Sequence, residues 1–173
     1  MRKSALLLLS CAVLAVGLLV AGPASVAKGP DKVLKFHTMA PVPRPYTDPT
    51  NAIRGVPGGG LPWVIGSANG QLGRDGDIQV EVEGLVIDPN DQAAIDAGVA
   101  GTNPVPNFKA IVSCLSKDSQ GNAFTTSAET GLFPATADGN AEIEDTVSLP
   151  DLCIAPIVFV TSPGGQWFAA TGF

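Results

Sequence analysis

From residue 32 onward the apolar positions recur mainly at every second residue, in short runs that Gly, Pro, Asp and Asn interrupt. A period of two puts successive side chains on opposite faces of an extended chain, so each run predicts a strand. The clearest stretch spans Trp63 to Ile87. There Ile78, Val80 and Val82 alternate with Gln79, Glu81 and Glu83, predicting one buried and one wet face. Trp63 to Leu72 leads into that run through Gly73, Arg74, Asp75 and Gly76, and Asp-Gly is a strong hairpin signal. Gly84 predicts a bulge or bend before Leu85, Val86 and Ile87.

The other runs extend the pattern. Val33, Leu34, Phe36 and Met39 predict a first strand. Phe108, Ala110, Val112 and Cys114 share a face opposite Lys109, Ile111, Ser113 and Leu115, and a turn through Asp118, Ser119, Gln120 and Gly121 should send Ala123 to Ser127 back antiparallel. Asp138 and Gly139 turn the chain into Ala141, Ile143 and Val147. Cys153 to Thr161 and Gln166 to Phe173 flank a Pro163, Gly164, Gly165 turn, and the unbroken run Ile157 to Val160 predicts a strand covered on both faces. Between Asp88 and Pro106 only Gln92 to Ala97 could form a helical turn. The sum is an all-β single domain, an antiparallel β-sandwich or flattened barrel of about eight strands.

Two regions break the alternation. Pro41 to Pro62 holds Pro41, Pro43, Pro45, Pro49, Pro57 and Pro62 with Gly58, Gly59 and Gly60, which excludes a regular helix or central strand and predicts an extended, wrapped or linking segment. The expected organisation is therefore a first strand with this segment over 28–62 and a core domain over 63–173. Residues 1–27 read as a secretory signal peptide, with Arg2 and Lys3 ahead of an apolar stretch from Ala5 to Ala21 and a small-residue cleavage site at Ser25, Val26 and Ala27. An uncleaved N-terminal anchor is the alternative. A lipoprotein reading of Leu8, Leu9, Ser10 and Cys11 is disfavoured, because cutting there leaves a further apolar stretch at the new terminus.

Export changes the composition that matters. Ten basic residues include Arg2 and Lys3, so cleavage leaves eight against sixteen acids, a net charge of −8. That balance disfavours nucleic acid and anionic membranes as partners. Cys11 leaves with the signal, and the remaining pair, Cys114 and Cys153, predicts one disulfide in an oxidising compartment.

Candidate chemistry is sparse. His37 is the sole histidine, which removes multi-histidine metal sites and leaves one imidazole for any nucleophile. Glu81 with Glu83 and Glu142 with Glu144 put paired acids on strand faces, a spacing that serves solubility as well as glycoside hydrolysis. Asp88, Asn90, Asp91 and Asp96 offer oxygen ligands for calcium, yet Ala93 stands where the turn glycine of a calcium loop belongs and Val99 where its bidentate acid belongs. Trp63, Trp167 and Tyr46 are the rings to consider for stacking a ligand, against a core role for the two tryptophans. No cofactor is expected.

These readings converge on a secreted, non-enzymatic binding, adhesive or envelope-associated module, with polysaccharide or a cell-surface protein as partner. The absence of Asn-x-Ser/Thr sequons suggests a bacterial source. The alternatives are a small extracellular hydrolase using acids such as Glu81, Asp145 or Asp151, and a secreted inhibitor or effector whose loops near Asp91 or Gln120 meet a protein.

Overall fold

The computed structural model describes residues 31–171; the signal-peptide and lipoprotein expectations, and Phe173, lie outside them. The strands in chain order are β1 (Lys32–Phe36), β2 (Ala40–Pro41), β3 (Trp63–Val64), β4 (Ser67–Gly73), β5 (Asp77–Glu83), β6 (Val86–Ile87), β7 (Asn107–Lys117), β8 (Ala123–Glu129), β9 (Phe133–Pro134), β10 (Ala141–Thr146), β11 (Ile154–Thr161) and β12 (Trp167–Ala170), with a 3-10 turn at Pro49–Asn51 and a short α-helix, α1 (Gln92–Asp96). Four strands have only two residues, so eight carry the fold, as the alternation predicts.

They form two packed antiparallel sheets. A four-stranded sheet runs β1-β4-β5-β10, and a larger sheet runs β2-β12-β11-β7-β8, with β9 alongside β7. The β4–β5 hairpin turns at Gly76, whose φ of +92° suits glycine and whose missing side chain lets the Val147 carbonyl approach. Trp63 to Leu72 is not one strand. Trp63 and Val64 pair with Ile87 and Val86 in a separate ribbon, and β4 starts after Gly66, because Gly84 bends the partner strand at φ +65°.

The space between the sheets is filled from both sides. Leu72, Ile78, Val80, Val82 and Ile143 come from the smaller sheet, and Phe108, Ala110, Val112, Val158 and Val160 from the larger. Trp63 stacks on Phe168 at 3.9 Å between ring centroids, and Phe108 meets both rings edge-on. Registry pairs Ile111 with Phe159 and Ser113 with Ile157, so these residues face away from the smaller sheet. They are nonetheless covered, and Phe159 and Ser113 have no exposed surface.

What covers them is the proline-rich segment. It leaves β2, where Val42 N–H donates to the Phe168 carbonyl, and returns at Gly58, where Trp167 donates to the Pro57 carbonyl and accepts from Gly59 N–H. Between those points it folds over the outer face of the larger sheet. Ile53 and Val56 bond each other reciprocally around Arg54 and Gly55, whose φ angles of +50° and +83° make a two-residue hairpin of the mirror-image type. Gly58 admits the Tyr46 carbonyl where a side chain would collide with it. The segment is thus a wrap built into the sheet edge, the resolution of the wrapped-or-linker choice.

Cys114 and Cys153 form the expected disulfide, tying β7 to the chain that enters β11.

Candidate functional site

A groove lies between the wrap and the outer face of the larger sheet. Ile157, Ala170 and Trp167 form its floor and Ala40, Pro41, Pro43, Tyr46 and Ile53 its walls, around a volume of about 460 Å³. That volume falls within the range of small-ligand sites, and the lining is almost wholly apolar. Tyr46 is 41% exposed at the rim, whereas Trp167 is 2% exposed, held by its strand and by a tilted contact with Phe159.

The geometry follows from local sequence. Prolines hold Pro41 to Pro45 in extended turns that leave the sheet edge, and Tyr46 N–H bonds the Pro43 carbonyl, fixing where the ring stands. Arg54 then pins the far end of the wrap. Its Nη1 donates to the carbonyls of Ser113 at 3.0 Å and Ala155 at 2.8 Å, across 59 and 101 residues of chain. Ala155 itself takes φ +45° in a bulge of β11, which turns its carbonyl to this guanidinium. Two polar atoms of the covered face, Ser113 Oγ and Trp167 Nε1, are buried without a hydrogen-bond partner.

Of the three rings singled out for stacking, the structure therefore brings Tyr46 and Trp167 to one groove and places Trp63 in the core between the sheets. Ile53, Pro43, Ile157 and Arg54 were not among the expected site residues. The signal available for them was Arg54-Gly55 between Ile53 and Val56, a hairpin turn inside a segment otherwise read only for its prolines.

The other candidates lie elsewhere. The outer face of the smaller sheet carries a polar ladder in which Ser67 donates to Glu83, Asn69 to Glu81 and Gln71 to Gln79. Glu81 stands opposite Glu142 across β5 and β10, and His37, Lys35 and Glu144 edge a shallow depression there of about 200 Å³. Asp145 follows the inward parity of β10, so it and Glu81 point to opposite sides of this sheet. Its carboxylate accepts from Gly131 and Thr146 N–H groups, which hold it below its ordinary pKa. Asp151 sits in an exposed turn before Cys153.

The calcium candidates cap local structure. Asp91 is the N-cap of α1 and accepts from Ala94 N–H while Arg44 binds it in bidentate fashion at 2.8 to 3.2 Å, so the guanidinium, aided by the cap, lowers its pKa. Asp88 accepts from Asn90 N–H, and Asp96 from the Gln92 amide. Among the described residues no three His, Cys, Asp or Glu side chains gather closely enough to hold a metal. Near Gln120, Asp118 closes its turn by accepting from Asn122 and Gln120, which likewise lowers its pKa.

The fold and groove thus define a disulfide-linked all-β protein with an apolar recess on a wrapped sheet. Comparison with protein-family models, curated proteins and solved structures finds no match to this chain.

Proposed function

We propose that this is an exported, non-enzymatic binding module whose groove takes an apolar or aromatic part of its ligand. The observation that carries the reading is the convergence of Tyr46 and Trp167 with Pro43, Ile53 and Ile157 around one recess of about 460 Å³. Binding an apolar group there needs no rearrangement of the sheet that forms its floor, and exposed Tyr46 loses little freedom on stacking because its ring has two rotatable bonds. The disulfide suits an oxidising compartment, in keeping with export. A polysaccharide would present the apolar face of a sugar ring to Tyr46; a surface protein would present an aliphatic or aromatic side chain.

Titration with the neutral probe N-phenyl-1-naphthylamine, and in parallel with soluble cello- and chito-oligosaccharides, tests the proposal. Saturable one-site binding should weaken about tenfold in Tyr46→Ala and in Ile53→Ser, with the melting temperature unmoved by the tyrosine change. Binding indifferent to both substitutions overturns the assignment of the groove. Turnover of an oligosaccharide, lost in Glu81→Gln, would move the protein to the hydrolase class.

A further inference from the structure

The larger sheet ends in an unguarded edge. β8 is its last strand, paired with β7 from Ala123 opposite Lys117 to Glu129 opposite Ile111, and among the described residues no strand pairs with its other side. Edge strands expose alternate N–H and C=O groups that template another strand, and soluble proteins commonly guard them with proline, lysine, bulges or brevity. β8 has none of these. Its seven residues, Ala-Phe-Thr-Thr-Ser-Ala-Glu, pair without a register shift, and the single charge, Glu129, is engaged by Lys109 of the same chain. Phe124 is 45% exposed on this edge, and Leu115, opposite Thr125, is also exposed.

We infer that β8 pairs antiparallel with β8 of a second copy, joining two larger sheets into one across a two-fold axis at Thr126. The sequence is self-complementary in that register. Thr126 faces its own copy once, on the axis, and Thr125 faces Ser127, Phe124 faces Ala128 and Ala123 faces Glu129, each of these three pairs occurring twice. Hydroxyl pairs are favourable cross-strand neighbours, Ala128 leaves room for the Phe124 ring, and no two acids meet. Charge narrows the choice of surface further. The chain carries a net −6, and the outer face of the smaller sheet holds Glu81, Glu83, Glu142 and Glu144, so two copies meet with least repulsion along a strand whose first six residues are uncharged. An isologous contact of this kind closes on itself as a dimer.

Sedimentation velocity over a concentration series tests this with a charge exchange specific to the register. The purified protein should show a monomer–dimer equilibrium. Thr125→Lys with Ser127→Lys places like charges opposite each other twice across the axis, as does Thr125→Glu with Ser127→Glu, and each pair should weaken self-association roughly tenfold or more. An equimolar mixture of the two variants should recover a mixed dimer, because every such contact then pairs opposite charges. Both positions are exposed, so circular dichroism and melting of each variant should match the parent. Should the double change unfold, Thr126→Lys, which meets its own copy across the axis, replaces it. A parent that stays monomeric to millimolar concentration overturns the inference, as does a lysine variant that dimerises as well as the parent or a mixture that fails to associate.

Discussion

The two outer faces of the sandwich solve the same problem in opposite ways. On the smaller sheet, strict alternation sends Gln79, Glu81, Glu83, Glu142 and Glu144 into water, and the face needs no cover. On the larger sheet, Ile111, Ile157, Phe159 and Trp167 point outward, and the chain spends residues 43–57 covering them. A face left bare is limited to polar contacts. A face roofed by an irregular segment acquires a recess wherever roof and floor do not match, and the groove at Tyr46 is such a mismatch.

The sharpest way to break this contrast is to truncate one side chain on each face. Trp167→Ala, on the covered face, should cost about 3–5 kcal/mol in urea denaturation through lost burial and the cavity left behind. Gln79→Ala, on the bare face, should stay within about 0.5 kcal/mol, as surface changes do. Equal effects would mean that the wrap does not bury Trp167 in solution.

The crosslink adds a second asymmetry, since both cysteines belong to the larger sheet and its approach. Reducing Cys114–Cys153, separated by 39 residues, should cost about 4 kcal/mol on the loop-closure estimate, read as a lower urea midpoint under reductant. Two free thiols titrating under denaturing, non-reducing conditions would contradict the bond itself.

Next in size comes the pin that holds the roof. Arg54→Ala removes two charge-assisted bonds to the Ser113 and Ala155 carbonyls and should cost about 1–3 kcal/mol. Arg54→Gly separates the causes, because glycine relieves the positive φ of +50° while losing the same bonds. If glycine restores most of the stability, backbone strain outweighs the guanidinium contacts. Faster exchange of the Ile53 and Val56 amide hydrogens in either variant would report loosening of the wrap itself.

The same asymmetry sets what could be read in the sequence. The smaller sheet was legible nearly residue by residue, because one wet face imposes a period of two and Asp75-Gly76 fixes its hairpin. The larger sheet was legible as strands, from runs such as Ile157 to Val160, but those runs say only that both faces are covered and not what covers them. The cover is local turn chemistry without periodicity, so the prolines excluded regular structure over 41–62 while Arg54-Gly55, its anchoring hairpin, passed unmarked. The site was half legible for the same reason. Tyr46 and Trp167 stood out as rings, yet residue type alone could not separate Trp167, at the groove floor, from Trp63, stacked on Phe168 in the core.

The smallest expected effect concerns the seam between the wrap and the Asp88 loop. Arg44, on the wrap, holds Asp91, the cap of α1, and lowers its pKa below the ordinary 3.8. A carboxylate whose folded pKa is depressed contributes stability that is complete above its unfolded pKa and is lost as pH falls through the folded value. The melting temperature should therefore be level from neutral pH to about 5 and decline below about 4, with Asp118 and Asp145, also lowered, adding to the slope. Asp91→Asn should start slightly lower at neutral pH and decline less steeply in acid, since one of the three titrating groups is gone. Arg44→Gln should flatten the same part of the curve while leaving the cap in place. An acid slope unchanged in both variants would show that the contact does not hold the wrap in solution, and the groove wall beside Tyr46 would then rest on the Arg54 pin and the backbone bonds at Val42, Tyr46 and Gly59.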